Sequence, residues 1–334
     1  MQNNHQRNQT IDVLRIPASF CVILCHIQWT GDAKTYSMAL ARWAVPFFLL
    51  VSGWYLYRED PEQQYAAAKR FLLSTVKLLV VSVLFIGAVN TGVRLVSGKS
   101  AFGWLTSFFG RKGNSYYFLM CNWARFLSSV MWYLFALTYA MVVFTLLARW
   151  KGIRWAYLLI VPLLVINLLR AEIMHLAWYR QGNWLLTTLP FLLLGHWLHK
   201  SRWAEKTSGT ASMLLTVLGI AITAVEARFV DEQIIYAGTI PLVLGIFTWG
   251  IASSGRQWPK SVAWFGRYCT PYIFILHCSL RDIVYAVWGE PSGAARWWMP
   301  LFFFVLSGLI GVCLHKGMER LRRQREKGRA EKMT

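Results

Sequence analysis

The chain is divided into a series of long apolar runs, and this pattern constrains its fold more than any other feature. Most runs approach the roughly 20 residues that an α-helix needs to cross the hydrocarbon core of a bilayer. Ten runs are predicted to form helices: 12–29, 38–57, 71–94, 130–148, 155–170, 184–199, 211–227, 234–252, 268–288 and 296–315. The runs at 155–170 and 184–199 are short for a span, so nine or eleven helices would also fit. The sequence therefore predicts an all-α, polytopic transmembrane helical bundle of about ten helices.

The composition supports this class of protein and excludes others. Hydrophobic residues make up 56% of the 334 residues and charged residues only 15%, whereas a soluble chain carries about 25% charged residues. The cores of soluble domains could not bury so much apolar surface. A soluble enzyme, a DNA-binding protein and a secreted disulfide scaffold are therefore poor fits. No nucleic-acid partner is expected, despite a net charge of +20.

The basic residues predict the orientation of the bundle. Cytoplasmic loops of membrane proteins are enriched in Lys and Arg. If the N-terminus is cytoplasmic, most of the 35 basic residues fall on the cytoplasmic side, and the short opposite loops are acidic. Both termini are therefore predicted to be cytoplasmic. Residues 1–315 are expected to form the transmembrane domain, and 316–334 a solvated basic tail near anionic lipids.

One predicted outer segment, 97–129, breaks this charge pattern. It carries several basic residues among many aromatic ones. Longer loops follow the charge rule less strictly, so the segment is interpreted as resting at the lipid headgroups. The alternative is a lid or a platform for an acceptor, because aromatic faces stack on the apolar faces of sugars.

Ionisable residues inside the apolar runs are the strongest functional signal, because such groups are costly in a bilayer and usually face the bundle interior or a wet cavity. In the first run, Arg15 and His26 are eleven residues apart. A helix of 3.6 residues per turn would place both on one face, about 16 Å apart along its axis. Asp12 and Ser19 lie near the same line.

This polar stripe has two interpretations. An anionic ligand could bind at Arg15 and place its far end beside the imidazole of His26. Alternatively, Asp12 caps the helix, Arg15 snorkels to the interface and His26 bonds to a neighbouring helix.

A second pair, His277 and Arg281, is four residues apart and so lies on one helix face. The predicted orientation places His277 at a depth compatible with His26, which favours a site that handles protons; structural pairing is the alternative. A proton-coupled transporter or flippase of an envelope precursor would need the same groups. An internal repeat would favour a transporter, and none is found. A non-catalytic scaffold would not need His26.

Several segments resemble signatures of the acyltransferase 3 family of integral-membrane acyltransferases. Residues 11–15 followed by His26 are similar to its opening signature, in which ten residues separate an Arg from a His. The segment 45–56, VPFFLLVSGWYL, resembles its Pro-Phe-Phe…Ser-Gly-Tyr segment. Weaker matches follow in the family's order at 131–134, 189–195 and 272–277. The Gly that usually follows the Arg is replaced by Ile16-Pro17, and Pro17 is expected to shift or kink the helix.

The resemblance implies a membrane O-acyltransferase, most often an O-acetyltransferase. Its acceptor would be a hydroxyl of a cell-envelope glycan or glycolipid precursor, in a bacterial inner membrane. The extra C-terminal hydrolase-like domain of some members is not found, so transfer is expected in the membrane domain alone. This short form is similar to the members that O-acetylate sugars of enterobacterial common antigen.

Acetyl-CoA is the expected acyl donor, as a co-substrate, and no metal is expected. The residues expected to be catalytic are His26, Arg15 and Asp12. The CoA phosphates are expected at Arg15 and at basic inner-loop residues, namely Lys69, Arg70 and Arg267. Substrate-binding roles are expected for Ser52, Trp132, His277 and Arg281. Close packing of a Ser-Gly pair between helices is the alternative for Ser52. His26 would act as a general base on the acceptor hydroxyl or carry the acyl group itself.

Overall fold

A computed structural model of the chain describes residues 8–103, 127–173, 182–230 and 232–330. These residues form helices, turns and loops and contain no strand. The longer helices are α1 (Gln9–Leu24), α2 (Gly31–Ala41), α3 (Ala44–Leu56), α4 (Pro61–Val96), α5 (Met131–Arg149), α6 (Ile160–Ile173), α7 (Leu189–Ser201), α8 (Gly209–Phe229), α9 (Thr239–Ala252), α10 (Lys260–Tyr268), α11 (Thr270–Trp288) and α12 (Ala295–Ala330). Most of the segment 97–129, at 104–126, lies outside the described residues, so its interpretation stays a prediction.

Five stretches of the described chain are long and apolar enough to cross a membrane. They are Gly31–Leu56 (α2 and α3 together), Pro61–Val96, Met131–Arg149, Gly209–Phe229 and Ala295–Lys327. Two shorter apolar helical stretches are Ile153–Leu169 and Thr239–Ala252. The predicted all-α, multi-pass architecture is therefore confirmed in this coarser form. The number of about ten spans and the cytoplasmic position of both termini stay predictions.

Two long helices extend beyond the apolar runs that predicted them. α4 begins at Pro61 rather than near residue 71, because the Asp60 side chain accepts a hydrogen bond from the Gln63 N–H and Pro61 suits the first helical position. α12 continues to Ala330, because the residues after 315 are largely Lys, Arg and Glu, which are good helix formers. The expected domain boundary at 315 is therefore not marked by a break in the helix.

α1 is shorter than the apolar run that predicted it. Its N-cap is Asn8, whose side chain accepts a hydrogen bond from Ile11 N–H, so capping by Asp12 is wrong. The helix passes through Pro17 and ends at Leu24. His26 lies in the turn that follows, held by a 2.9 Å hydrogen bond from its N–H to the Ile23 carbonyl. The expectation that His26 belongs to the same helix as Arg15 is therefore wrong by about half a turn.

The start of α1 is fixed to the end of α9 and the loop after it. Asn8 donates to the Gly250 carbonyl at 2.8 Å, and the Thr10 hydroxyl donates to the Ser253 carbonyl at 2.8 Å. The Trp258 indole N–H donates in turn to Thr10 Oγ1 at 3.0 Å. These bonds fix the position from which α1 carries Arg15 into the bundle.

Two glycines allow α3 and α7 to pack backbone against backbone. A Cβ on Gly53 would overlap the Leu192 carbonyl oxygen, and a Cβ on Gly195 would overlap the Leu50 carbonyl oxygen. Small residues at such contacts let helices approach closely in membranes. Gly53 alone therefore explains the close packing of the Ser-Gly pair. The side chain of the neighbouring Ser52 is open to another role.

Candidate active site

The structure brings His26 and His277 together. Their ring centroids are 5.3 Å apart and the ring planes are inclined by 43°. His277 is fully buried on α11, and its Nδ1 lies 2.8 Å from the Ile273 carbonyl oxygen. A carbonyl oxygen can only accept, so Nδ1 carries the proton. The Nε2 of neutral His277 is therefore a lone-pair acceptor, and it has no hydrogen-bond partner within the described residues.

Ser129 is the second neighbour of His26. Its hydroxyl lies 3.2 Å from His26 Nδ1 and 3.8 Å from Cys278 Sγ. The sequence analysis missed Ser129, because it is a short polar residue in a turn before α5 and carries no signal of charge or periodicity. It links the end of α1 to the start of α5.

Arg281 holds the backbone of the His26 turn. Its Nη1 donates to the His26 carbonyl oxygen at 3.1 Å. Its Nε and Nη2 both donate to one carboxylate oxygen of Asp282, at 2.9 and 2.7 Å. Charged donors make stronger hydrogen bonds than neutral ones. Arg281 thus ties α11 to the turn that carries His26, in keeping with the structural alternative for this residue.

A second polar group lies around Arg15. Its Nη1 is 3.3 Å from the carboxylate of Asp12, which is only 3% exposed. The close approach of α10 explains this burial, since a Cβ on Gly266 would overlap the Asp12 carbonyl oxygen. Two of the predicted catalytic residues are therefore paired with each other inside the bundle.

Ser52 on α3 and Tyr133 on α5 are two further polar residues of the bundle. The Ser52 hydroxyl donates to the Phe48 carbonyl at 2.8 Å. The Tyr133 ring packs on Phe274 of α11, with ring centroids 5.3 Å apart. Ser129 lies in the turn four residues before Tyr133. The start of α5 therefore carries one hydroxyl beside His26 and a second residue, Tyr133, against α11.

Trp132, another predicted substrate-binding residue, lies in the first turn of α5 and contacts the segment that leads into the π-helical turn Trp184–Thr188. Its ring packs on Gly182, where an added Cβ would lie 3.3 Å from the ring, and its centroid is 6.4 Å from that of Tyr133. The structure thus places Trp132 where α5 packs against the π-helical turn Trp184–Thr188.

The basic residues expected to bind CoA phosphates are less closely grouped. Arg267 on α10 follows Gly266, the residue that packs on Asp12, and its guanidinium lies 4.6 Å from the centroid of the Tyr268 ring. Lys69 and Arg70 are exposed on the third turn of α4. Arg267 therefore lies near the start of α1. Lys69 and Arg70 face solvent on α4, and their place in the same site stays a prediction.

Arg42 is a site residue that the sequence analysis missed. It lies between α2 and α3, is 9% exposed, and forms an ion pair with Glu232. It ends α2, which packs against α1, the helix that leads to His26. The rule that selected Arg15 could have selected Arg42 as well, since it is an arginine inside a predicted span.

A second buried histidine serves as a comparison. Both ring nitrogens of His196, on α7, form hydrogen bonds. Nδ1 lies 2.7 Å from the Tyr157 hydroxyl, and Nε2 lies 2.9 Å from Gln64 Oε1. Its hydrogen-bonding capacity is therefore used within the protein. His277, by contrast, presents an open nitrogen next to a second imidazole, which is the arrangement expected at a reactive site.

The fold and this site define a multi-pass membrane protein in which a pair of histidines, one of them fully buried, follows the helix that carries Arg15 and Asp12. A family model described as an acyltransferase domain, that of the acyltransferase 3 family, matches residues 8–315. The chain belongs to this family and is a membrane acyltransferase. The matched range includes every site residue from Asp12 to Arg281. Neither the curated proteins nor the solved structures give a match.

Proposed function

We propose that this acyltransferase is an O-acetyltransferase of the bacterial inner membrane. It moves the acetyl group of acetyl-CoA to a hydroxyl of a cell-envelope glycan or glycolipid precursor. The observation that carries the proposal is the pair of imidazoles, His26 and His277, directly after the end of the helix that carries Arg15. The arginine and the imidazole pair suit a donor that has an anionic body and a reactive thioester.

The donor binds with its phosphates toward Arg15, from the predicted cytoplasmic side. Arginine binds phosphate with two parallel hydrogen bonds, and Arg267 lies close enough to the start of α1 to contribute. Lys69 and Arg70 supply further positive charge along the approach. From Arg15 to the end of α1 at Leu24 the helix rises about 14 Å. An extended pantetheine arm follows this rise and brings the thioester to His26.

His26 assists transfer in one of two ways. As a general base it takes the proton of the acceptor hydroxyl while the oxygen attacks the thioester carbonyl. The C–S bond then breaks, and the CoA thiolate leaves and recovers the proton from the imidazolium. Alternatively, an imidazole nitrogen attacks the thioester carbonyl first, the C–S bond breaks and the CoA thiolate leaves. The acceptor oxygen then attacks the acetyl-imidazole, the C–N bond breaks to restore the imidazole, and the hydroxyl proton passes to the thiolate. Trapping of an acetylated His26 would separate the two routes.

His277 and Arg281 position the groups that react. The open Nε2 of His277 accepts a hydrogen bond from a second hydroxyl of the acceptor sugar, which leaves the proton of the reacting hydroxyl for His26 and orients the reacting oxygen toward the carbonyl carbon. Arg281 keeps the His26 turn in place through the backbone carbonyl. Asp12 fixes the Arg15 guanidinium, and the hydroxyl of Ser52 is proposed to contact the bound donor or acceptor. Trp132 lies beside Tyr133 and contributes an apolar wall.

The proposed acceptor is an envelope sugar. Sugars of enterobacterial common antigen are the example, because this short chain is similar in overall layout to the family members that O-acetylate them. Membrane lipids surround the exposed apolar faces of α4, α8 and α12. The acceptor hydroxyl is supplied either by the glycan or by its lipid-linked precursor.

The test is label transfer by purified protein in lipid nanodiscs. Acetyl-CoA labelled in the acetyl group is incubated with a panel of glycan and glycolipid acceptors, and a parallel sample carries the label in the CoA moiety. The proposal predicts that acetyl label alone appears on the acceptor, with release of free CoA thiol. A carrier or scaffold would leave the label on CoA. Transfer from longer acyl-CoAs in preference to acetyl-CoA would overturn the choice of donor.

A further inference from the structure

A pocket of about 500 Å³ lies on the side of the bundle that is predicted to face outward, at the start of α2. Its walls are α2, the end of α8 and the loop that leads to α9. Small-ligand sites commonly have volumes of roughly 300–1,000 Å³. The pocket is therefore large enough for a compact organic ligand, and neither the family match nor the two-histidine centre assigns it a role.

The walls of the pocket are held in place by the fold. Tyr36 and Tyr236 pack around Ala39 and Ala227, which are nearly fully buried. The carboxylate of Glu226 accepts hydrogen bonds from the N–H groups of Ala237 and Gly238, both at 2.9 Å. The loop that closes the pocket is thus fixed to the end of α8, and the pocket exists before any ligand binds.

The lining combines charges of both signs with aromatic rings. Asp32 and Glu232 supply carboxylates, Lys34 and Arg228 supply cations, and Tyr36 supplies a ring. An anionic ligand would meet the two carboxylates, and a cationic ligand would meet the two basic groups. A neutral ligand with many hydroxyls suits both, because each hydroxyl donates to a carboxylate and accepts from a cation. This is the chemistry of a saccharide.

The pocket also extends toward the helix that leads to His26. Glu232 lines the pocket and pairs with Arg42 at the end of α2, which packs against α1. Met38 is the buried lining residue of α2, and Arg42 follows it by one helical turn, about 6 Å along the axis. A ligand that fills the pocket therefore ends close to Arg42, at the contact between α2 and the helix that precedes His26.

We propose that this pocket binds one saccharide unit of the acceptor and directs its reactive hydroxyl toward His26. The inference rests on the proposed function, because it names the place and the chemical class of the acceptor. The donor and the acceptor then approach His26 from opposite ends of the bundle. Their separate entry routes let the acetyl group cross from one side to the other.

Protection of an introduced cysteine tests the proposal without relying on catalysis. Thr35, an exposed residue of the lining, is replaced as Thr35→Cys, and the rate of maleimide labelling is measured in nanodiscs with and without N-acetylglucosamine and the methyl glycosides of glucose and galactose. The matched control is Ser292→Cys, an exposed position in the loop between α11 and α12. The unsubstituted chain gives the background from native cysteines.

We expect at least one saccharide to slow labelling of Thr35→Cys, by about tenfold when nine-tenths of the pockets are occupied, and to leave Ser292→Cys unchanged. Failure of every saccharide, or equal slowing at both positions, would overturn the pocket assignment. Acetyl transfer without protection would leave the proposed function intact and remove the pocket. Protection without acetyl transfer would leave the pocket and remove the proposed function.

Discussion

Two buried imidazoles in this protein are used in different ways. His196 bonds at both nitrogens, to Tyr157 and to Gln64, and so contributes to packing of the bundle. His277 bonds only at Nδ1 within the described residues, and its ring centroid lies 5.3 Å from that of His26. A buried polar atom without a partner is costly unless a ligand satisfies it. This cost is our main physical reason for placing substrate at His277 and not at His196.

Arg15 is predicted to act through the shape of its guanidinium as well as its charge. Arg15→Lys keeps the charge and the pairing with Asp12 but removes the planar, two-point grip on phosphate. We expect the KM for acetyl-CoA to rise about tenfold, which corresponds to roughly 1.4 kcal/mol, with a smaller change in the KM for the acceptor. Steady-state kinetics with each substrate varied in turn measures both.

The matched control for this prediction is Arg322→Lys, on the exposed end of α12. It makes the same chemical change far from the site and should leave both constants unchanged. An Arg15→Lys protein with the same dependence on acetyl-CoA as the wild type would contradict the phosphate-binding role.

The contact between α3 and α7 shows how the helices position the site. Gly53 and Gly195 allow the two backbones to touch, and this contact sets the position of α3, which carries Ser52. A methyl group added at a close backbone contact forces the helices apart, because overpacking of a filled interior usually costs about 1–3 kcal/mol. The position of Ser52 thus depends on small residues that take no part in chemistry.

Gly195→Ala should therefore lower the stability of the protein. We expect its midpoint of thermal unfolding in detergent to fall by several degrees, and its acetyl transfer to fall with it as α3 moves. Gly92→Ala is the matched control, since Gly92 lies inside α4 and a Cβ there meets no atom within 4 Å. This second change should leave stability unchanged or raise it, because Ala is a better helix former than Gly. Equal midpoints for the two variants would contradict the packing argument.

The boundaries of the helices could be predicted only in part. The apolar runs found the position of most helices, since burial in lipid requires them. They could not find the start of α4, which depends on the Asp60 cap, or the continuation of α12 past His315, which depends on helix propensity. They also extended α1 beyond Leu24, because an apolar run gives no sign of the turn that carries His26.

At the scale of the whole molecule, the sequence predicted the class of protein and its most important charged groups, but not how they meet. The spacing of Arg15 and His26 and the shared depth of His277 pointed to one site, and the structure brings the two imidazoles together. Contacts between distant segments, such as His26 with Ser129 or Arg42 with Glu232, depend on tertiary packing. Ser129 carries no charge and belongs to no periodic pattern, so the sequence alone gives no sign of its contact with His26.

The central claim is that α1, α5 and α11 assemble a site in which His26 promotes acetyl transfer. It is tested most directly by the rate at which His26→Ala transfers labelled acetyl groups, compared with the wild type and with His315→Ala. His315 lies on α12 beside Glu319 and packs on the Tyr268 ring, so it is a partly buried imidazole outside the two-histidine centre. With acetyl-CoA at saturation, so that any change in donor binding near Arg267 has no effect, we predict a loss of about 10²–10⁴-fold for His26→Ala, the usual worth of general-base assistance, and a wild-type rate for His315→Ala. Transfer by His26→Ala at the wild-type rate would contradict the account.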